Sequence, residues 1–268
     1  MTASSASRAA LRRLHLGHVV VDAVRFDEAL DRIEALVAAR RGGSVFTPNV
    51  DHVVLAERNR DFRAAYAEAD LALADGMPLL WAARLLGAPL PAKVSGSDLV
   101  EPLAERAATR GWRLYLLGGG AGVAADAAAR LQARFPGVNV VGVDAPRIGA
   151  DGSDGGAALA RLRAARPDLV MVALGAPKQE LWIHRHREAL APAVAVGVGG
   201  SLDFIAGRVR RAPRWASRAG LEWAWRLARE PRRLWRRYLV EDLRFAPILV
   251  RELRARRGDG AGAGAPSS

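Results

Sequence analysis

Short apolar runs recur along the first two hundred residues, and stretches with helical periodicity separate them. The runs lack alternating polar positions, which is typical of strands buried on both faces of a sheet. They predict strands at residues 18–21, 44–47, 71–74, 112–117, 138–143, 169–174 and 194–198. The stretches between them predict helices at residues 26–40, 52–70, 78–86, 97–110, 122–135, 156–165 and 178–190. This alternation predicts an α/β fold in which helices flank a mostly parallel sheet.

The pattern changes after residue 208, where strand-like runs stop and Arg, Trp and Leu recur at helical spacing. Pro231 ends one helix and starts the next, which predicts helices at 213–230 and 231–257. We therefore divide the chain into a flexible arm at 1–14, an α/β core at 15–207, a helical Arg/Trp-rich appendage at 208–257 and a disordered tail at 258–268.

Charge is concentrated in the appendage. The chain of 268 residues has a net charge of +12, and residues 208–257 contain sixteen arginines against five acidic residues. Such a basic end on a nearly neutral body predicts an anionic partner: a nucleic acid, a phospholipid or a diphosphate. The sequence has no cysteine, which excludes disulfides, zinc–thiolate sites and a cysteine nucleophile. We expect neither a signal peptide nor a transmembrane helix, so that membrane contact would be peripheral.

Polar residues follow four of the predicted strands. In a parallel sheet the carboxyl ends of the strands meet at one edge, where ligands bind. Turn and helix-cap roles explain any one of these segments. Four of them at the same edge predict a cleft. The segments are Thr47-Pro48-Asn49-Val50-Asp51, Asp75-Gly76-Met77-Pro78, Gly175-Ala176-Pro177-Lys178-Gln179-Glu180 and Gly199-Gly200-Ser201-Leu202-Asp203.

A glycine loop, Gly118–Gly122, follows the predicted strand at 112–117. Its backbone N–H groups and the next helix N-terminus could bind a phosphate, and a plain tight turn is an equal alternative. It is not a P-loop, because no Gly-Lys-Ser/Thr follows. The loop also leaves open a dinucleotide-dependent oxidoreductase as an alternative function.

We expect no metal and no cofactor. His184 and His186 are two residues apart, so they point to different helix faces and do not favour a shared metal. The chain contains no Asp-x-Asp sequence, which many sugar transferases use to hold a divalent metal. Positive side chains would then have to neutralise a diphosphate.

The appendage can supply these charges. Arg226, Arg229, Arg233 and Arg236 share roughly one helical face, and guanidinium groups match phosphate oxygens bidentately. Tryptophans at 215, 223, 225 and 235 are interleaved with them, a combination that an anionic membrane also attracts. A solvated basic face on a docked helix pair explains the same pattern. A nucleic-acid-binding protein is a further alternative, but no groove-reading motif accompanies the arginines.

Several of these motifs are similar to those of the WecG/TagA/CpsF family of bacterial glycosyltransferases, and the chain resembles this family over roughly residues 15–245. The matching pieces occur in the family's order. They are Thr47-Pro48-Asn49, Ala74-Asp75-Gly76, Val94-Ser95-Gly96-Ser97-Asp98, Leu116-Leu117-Gly118-Gly119, Leu174–Glu180 with Trp182, Gly197–Gly200 through Asp203, Arg211-Ala212-Pro213, Leu221-Glu222-Trp223 and Glu230-Pro231.

The resemblance implies a Rossmann-like sheet and an inverting, metal-independent transferase. The donor would be a UDP-sugar carrying N-acetylmannosamine, its uronic acid or glucose. The acceptor would be a polyprenyl-diphosphate-linked sugar at the anionic inner face of the cell membrane. We expect no nucleic-acid partner. Oligomeric state stays open, although some relatives self-associate through their cores.

The resemblance also assigns site residues by matching position. It implies that Asp75 is the catalytic base, with Thr47 in the catalytic set, and that Asn49 and Gln179 contact substrate. We add Gly118 and Gly119 to the substrate-binding set. Arg226, Arg233 and Arg236 fall where appendage arginines close over the diphosphate. Lys93 stands where an arginine is expected; it keeps the charge and loses the bidentate fork.

Overall fold

Six parallel strands form the central sheet. The computed structural model describes residues 12–210, 212–213, 222–229, 231–236 and 240–262. Within this part of the chain the sheet has the order β4-β3-β8-β7-β5-β6. Its strands are β3 (Gly43–Phe46), β4 (Leu71–Ala72), β5 (Arg113–Gly118), β6 (Asn139–Asp144), β7 (Leu169–Ala173) and β8 (Val194–Gly197). The prediction of an α/β, Rossmann-like fold is confirmed.

The first two strands stand apart from this sheet as an antiparallel hairpin, β1 (Arg13–Leu16) and β2 (Val19–Asp22). The predicted strand at 18–21 corresponds to β2. Its partner was missed, because Arg13 and Leu14 fell within the predicted arm. The hairpin covers the edge strand β4: the buried Asp22 carboxylate accepts the Ala72 N–H at 2.8 Å and pairs with the Arg13 guanidinium at 2.9 Å. Covering an edge in this way prevents unwanted strand pairing.

Helices connect the strands and pack on both faces of the sheet. They are α1 (Phe26–Ala39), α2 (Val50–Ala56), α3 (Arg60–Ala67), α4 (Met77–Leu85), α5 (Gly96–Arg110), α6 (Val123–Arg134), α7 (Gly156–Ala165), α8 (Lys178–Arg185), α9 (Arg187–Leu190) and α10 (Ser201–Ile205). The single helix predicted at 52–70 is wrong, because Asn59 caps a new helix by accepting the Phe62 N–H at 3.0 Å. The helix predicted at 178–190 is likewise divided at His186, and α10 was not predicted.

The core has two apolar layers, one on each face. On one face, α1, α5, α6 and α10 pack against a row of side chains that runs across the sheet through paired strand positions. On the other face, the hairpin and helices α2, α3, α4, α7 and α8 cover the opposite side chains of the same strands. The row on the first face comprises Leu71, Val45, Val196, Met171 and Leu116. Burial on both faces explains why the strands read as continuous apolar runs.

The C-terminal segment contains α11 (Glu222–Arg229), α12 (Pro231–Arg236), a 3₁₀ turn (Asp242–Arg244) and α13 (Phe245–Gly262). Of the helix predicted at 213–230, residues 214–221 and 230 lie outside the described residues. The helix predicted at 231–257 is not one uninterrupted α-helix: residues 237–239 lie outside the described residues, and the 3₁₀ turn precedes α13. Pro247 would clash in a helix interior, and starting α13 at Phe245 places it in the first turn, where proline is tolerated. Because α13 extends to Gly262, the first residues of the predicted tail are helical, and 263–268 lie outside the described residues.

Helix α13 docks on the core beside α2. Ile248 is buried, and the Arg251 guanidinium holds both carboxylate oxygens of Glu57 at 2.7 and 3.0 Å. These hydrogen bonds lower the pKa of Glu57 despite its partial burial. Near the end of the helix, Arg256 donates to the Leu86 carbonyl at 2.8 Å. None of the described helices combines the length and the apolar character that crossing a membrane requires.

The Asp22 contacts generate a stability prediction. In Asp22→Ala, the buried Ala72 N–H loses its acceptor, and Arg13 loses its carboxylate partner while it keeps longer contacts with the Ala69 and Asp70 carbonyls. We expect the free energy of unfolding to fall by about 1.5–3 kcal/mol, the usual cost of a hydrogen bond to a charged group. Asp22→Asn keeps an acceptor oxygen and should lose less. Urea denaturation of the three proteins checks this, and equal stability of wild type and Asp22→Ala would contradict it.

Candidate active site

The four polar strand ends lie side by side at the carboxyl edge of the sheet, because β4, β3, β8 and β7 are consecutive in the strand order. The backbone keeps this alignment beyond the strands. Asp75 donates its N–H to the Pro48 carbonyl at 2.8 Å, and Val94 donates to the Ala74 carbonyl at 2.8 Å. The loops after β3 and β4 and the segment before α5 therefore run together.

Two buried side chains hold the turn that follows β8. Thr47 Oγ1, from the β3 end, donates to the Gly197 carbonyl at 3.1 Å. Gln179 Oε1, from α8 after β7, accepts the Gly199 N–H at 3.0 Å. Thr47 is 4% exposed and Gln179 is 2% exposed. The turn after β8 is thus held by one side chain from the β3 side and one from the β7 side.

Asp75 lies where β4 turns into α4. It is half-buried, and Gly76 after it has φ 110°. A Cβ on Gly76 would meet only Pro78 Cδ, at the ordinary contact distance of 3.7 Å, so the backbone of this turn is loosely packed. Burial is the main cause that raises the pKa of the Tyr66 hydroxyl, and the negative charges of Glu180, Asp51 and Asp75 raise it further. Asp75, Asp51 and Glu180 therefore all lie close enough to the Tyr66 hydroxyl for their charges to act on it.

Asn49 and Lys93 each lie at the start of a helix. Asn49 is the N-cap of α2, and its backbone N–H donates to His52 Nδ1 at 3.0 Å. Lys93 Nζ lies 3.6 Å from the carboxylate of Asp98, in the first turn of α5. That turn packs closely on the β8 end, since a Cβ on Gly96 would lie 2.9 Å from Val198 Cα. Both residues are half-buried.

The glycine loop has a packing role that the sequence analysis did not assign to it. A Cβ on Gly118 would lie 2.4 Å from the Ala173 carbonyl oxygen, and one on Gly119 would lie 2.7 Å from the Val123 side chain. Gly119 also donates its N–H to the Ala173 carbonyl at 2.8 Å. By contrast, Gly175 and Gly199 have no atom within 4 Å of a built Cβ. The backbone that borders open space therefore lies after β7, at Gly175, and after β8, at Gly199.

Beneath this edge lies a cluster of buried polar side chains, of which only Gln179 was predicted as a site residue; the roles of Glu180 and His52 were missed. Glu180 is fully buried, and its Oε1 accepts from Gln179 Nε2 at 2.6 Å. His52 Nε2 lies 3.4 Å from the same oxygen. The His52 ring stacks on Phe62 with centroids 5.8 Å apart, and the Tyr66 ring lies edge-on to it at 6.2 Å. We call Gln179, Glu180 and His52 the buried triad.

A sequence signal for the triad existed. Asp51 and His52 interrupt the apolar run from Val50 to Leu55, and Gln179-Glu180 directly precede the buried Leu181-Trp182-Ile183. Polar residues within a stretch buried on all sides need hydrogen-bonding partners. What the sequence could not show is which partners the topology supplies.

The two histidines considered as metal ligands face different neighbours. His184 Nδ1 lies 3.8 Å from the Glu68 carboxylate. The His186 ring packs edge-on against Trp182 at 5.1 Å, and burial lowers the pKa of His186. Across the described ranges, no three His, Cys, Asp or Glu side chains are grouped as a metal site.

The appendage arginines are described only in part. Arg236 is exposed, and its Nε lies 3.5 Å from the Glu241 carboxylate. The side chains of Arg226 and Arg233 lie outside the described residues, as do Arg211 and Trp215. The positions of these three arginines relative to Asp75 therefore stay a prediction.

Comparison with known proteins places the chain. A model of the glycosyl transferase WecG/TagA/CpsF family matches residues 14–259. Two similar proteins carry the name N-acetylglucosaminyldiphosphoundecaprenol N-acetyl-beta-D-mannosaminyltransferase. The one from Bacillus spizizenii strain W23 is 36% identical over 79% of this chain and 80% of its own length. The one from Bacillus subtilis strain 168 is 32% identical over 74% of this chain and 75% of its own length.

The family model covers nearly the whole described chain, and both relatives cover more than two thirds of it. A sugar-transfer family accounts for the polar strand ends and the basic appendage together, whereas the oxidoreductase and nucleic-acid alternatives each rest on one feature. The chain therefore belongs to the WecG/TagA/CpsF family and is a glycosyltransferase.

Proposed function

We propose that the protein transfers N-acetylmannosamine from its UDP-sugar to a polyprenyl-diphosphate-linked N-acetylglucosamine. The observation that carries this is the 36% identity to a transferase named for that reaction, across 79% of this chain and 80% of that protein. The uronic acid of N-acetylmannosamine and glucose are the competing donor sugars. With any of these three donor sugars, the nucleoside diphosphate and the acceptor hydroxyl would bind at the same edge of the sheet.

Inversion at the anomeric carbon requires one in-line displacement. The acceptor hydroxyl attacks this carbon and loses its proton, the bond to the UDP oxygen breaks, and UDP leaves. A carboxylate within hydrogen-bond reach of the hydroxyl accepts the proton. We assign this role to Asp75, because it is a half-buried carboxylate shortly after β4, at the edge where the polar strand ends meet. Thr47 supports the site by holding the Gly197 carbonyl at 3.1 Å.

The departing UDP builds up negative charge, which fixed positive groups stabilise. Lys93 is a candidate because it lies in the segment that runs beside the β4 end. Its amine is 3.6 Å from Asp98, so a diphosphate would have to compete with that carboxylate. Arg226, Arg233 and Arg236 are assigned the larger share. With these cations, transfer needs no divalent metal.

Peripheral binding to the inner face of the cell membrane would bring the site to its lipid acceptor. In the described appendage, Trp223, Trp235 and Leu243 are 40%, 51% and 67% exposed. The core adds Trp81 and Leu85 of α4, which are 47% and 65% exposed. These two face solvent on the helix that begins beside Asp75. Exposed tryptophan and leucine among arginines are typical of interfacial binding.

A donor screen tests the proposed function. Purified enzyme would receive UDP-N-acetylmannosamine, its uronic acid or UDP-glucose, with a short-chain polyprenyl-diphosphate N-acetylglucosamine acceptor. We expect a disaccharide-lipid product with N-acetylmannosamine at the highest kcat/KM. Faster transfer of another sugar would reassign the donor. No product with any donor would contradict the acceptor assignment.

Asp75→Asn should keep the fold and lower kcat by roughly 10²–10⁴-fold, the usual worth of a general base. Asparagine preserves the shape of the side chain but cannot accept the hydroxyl proton. Asp61→Asn, at an exposed carboxylate in the first turn of α3, is the control and should leave kcat unchanged. Steady-state kinetics at saturating substrates decides the matter, and near wild-type turnover of Asp75→Asn would refute the assignment.

Activity should persist in EDTA, because arginine and lysine rather than a metal neutralise the diphosphate. The measurement is kcat/KM before and after dialysis against the chelator. Complete loss, restored by magnesium or manganese, would show that a metal does this work.

Replacing Arg226, Arg233 and Arg236 together with alanine should lower transfer to a water-soluble acceptor by on the order of 10²-fold, since electrostatic stabilisation of the leaving group is lost. Exposed Arg232, Arg244 and Arg254 provide a control triple with the same loss of charge. Both triples should bind anionic vesicles less tightly, by about 1 kcal/mol per arginine. If both triples transfer equally well to the soluble acceptor, the first three arginines bind only lipid.

A further inference from the structure

Glu180 is a fully buried carboxylate to which the proposed mechanism assigns no role. One of its oxygens, Oε1, accepts a hydrogen bond of 2.6 Å from Gln179 Nε2 and lies 3.4 Å from His52 Nε2. Its other oxygen, Oε2, has no hydrogen-bonding partner among the described residues. Burial of a carboxylate is costly, so its contacts must serve the local structure.

The Gln179 amide has two ends, and each has one partner. Its nitrogen donates to Glu180, and its oxygen accepts the Gly199 N–H at 3.0 Å. The two ends of an amide are nearly equal in shape, so only the partners determine which way the group points. In the flipped orientation, the amide oxygen would face the Glu180 carboxylate, acceptor against acceptor, and the amide nitrogen would face the Gly199 N–H, donor against donor. The Glu180 acceptor therefore selects the orientation that can hold Gly199.

The same carboxylate also reaches the loop after β3. His52 Nδ1 lies 3.0 Å from the backbone nitrogen of Asn49 and 2.9 Å from its Oδ1, so the imidazole is anchored to that loop. Its other nitrogen faces Glu180. Glu180 thus stands between the β3 loop and the turn after β8.

The turn held by this arrangement borders open space. Gly199 has φ 57°, and no atom lies within 4 Å of a Cβ built on it. Gly197, two residues earlier, is held by Thr47 through its carbonyl. Gly197 and Val198 are buried, whereas Gly199 is half-buried and Gly200 is exposed, so the part of the turn that a ligand at this edge can reach begins at Gly199, where Gln179 holds the backbone.

We propose that Glu180 is a positioning residue: it fixes the Gln179 amide, which holds Gly199, and thereby keeps the turn after β8 in the arrangement that binds the nucleotide-sugar donor. The donor part of this statement rests on the proposed function. The hydrogen-bond part, from Glu180 through Gln179 to Gly199, does not.

Kinetics of two replacements test the donor part. Glu180→Met fills similar space without an acceptor, so the Gln179 amide loses its anchor. We expect the KM for the UDP-sugar to rise about tenfold, the worth of one lost hydrogen bond. Glu180→Gln keeps an acceptor oxygen for Gln179, and its amide nitrogen takes the place of Oε2, which has no bond to lose. Its KM should stay within about threefold of wild type.

Gln179→Met breaks the same linkage from the other side. It should raise the KM about as much as Glu180→Met, and the double variant should add little, because the two residues act through one path. Glu188→Met, at an exposed glutamate of α9, is the control and should not change KM. Additive effects of the two methionine variants would overturn the proposed path.

Hydrogen exchange at the Gly199 amide, followed by NMR on the intact protein, tests the hydrogen-bond part without any substrate. Exchange should be at least tenfold faster in Glu180→Met and near wild type in Glu180→Gln. Unchanged exchange in Glu180→Met overturns the positioning role, whatever reaction the enzyme performs. Faster exchange with an unchanged donor KM overturns its link to the donor. Absence of transfer by the wild-type enzyme counts against the proposed function alone.

Discussion

The site depends on how the turn after β8 is held. Strand β8 lies between β3 and β7. Thr47, directly after β3, donates to the Gly197 carbonyl, and Gln179, in the helix after β7, accepts the Gly199 N–H. Parallel pairing brings the three strand ends level, and the two buried hydrogen bonds then fix the chain where the pairing stops. Asp75 is tied to the same edge, because its N–H donates to the carbonyl of Pro48, the residue after Thr47.

This arrangement puts polar groups into an apolar layer. His52, Tyr66 and Glu180 are buried among the aromatic rings and aliphatic side chains that pack beneath the sheet, and each has at least one polar atom without a hydrogen-bonding partner among the described residues. Such groups reduce stability relative to an apolar core. An apolar replacement would pack as well but could not orient an amide. The cost in stability therefore accompanies a gain in defined geometry at the surface above.

The sequence predicted the elements of the sheet better than their arrangement. Continuous apolar runs identified all six of its strands, because burial on both faces removes polar alternation. The order of the strands comes from packing, which no local pattern encodes, so the contact of Thr47 with Gly197 could not be foreseen. Pro247 carried a readable signal against a continuous helix. The glycines were harder: Gly118 and Gly175 look alike in sequence, and only the neighbouring backbone shows that the first packs tightly and the second is open.

The strand order has a consequence for synthesis on the ribosome. β8 is the last strand of the sheet to be made and occupies a central position, so β3 with β4, and β5 with β6 and β7, form two separate strand groups until residue 194 emerges. Before then, one edge of β3 and one edge of β7 lack their partner. The nascent chain must keep two unpaired edges from pairing elsewhere, and a partial product that ends before β8 retains both edges without acquiring the turn around which the site is built.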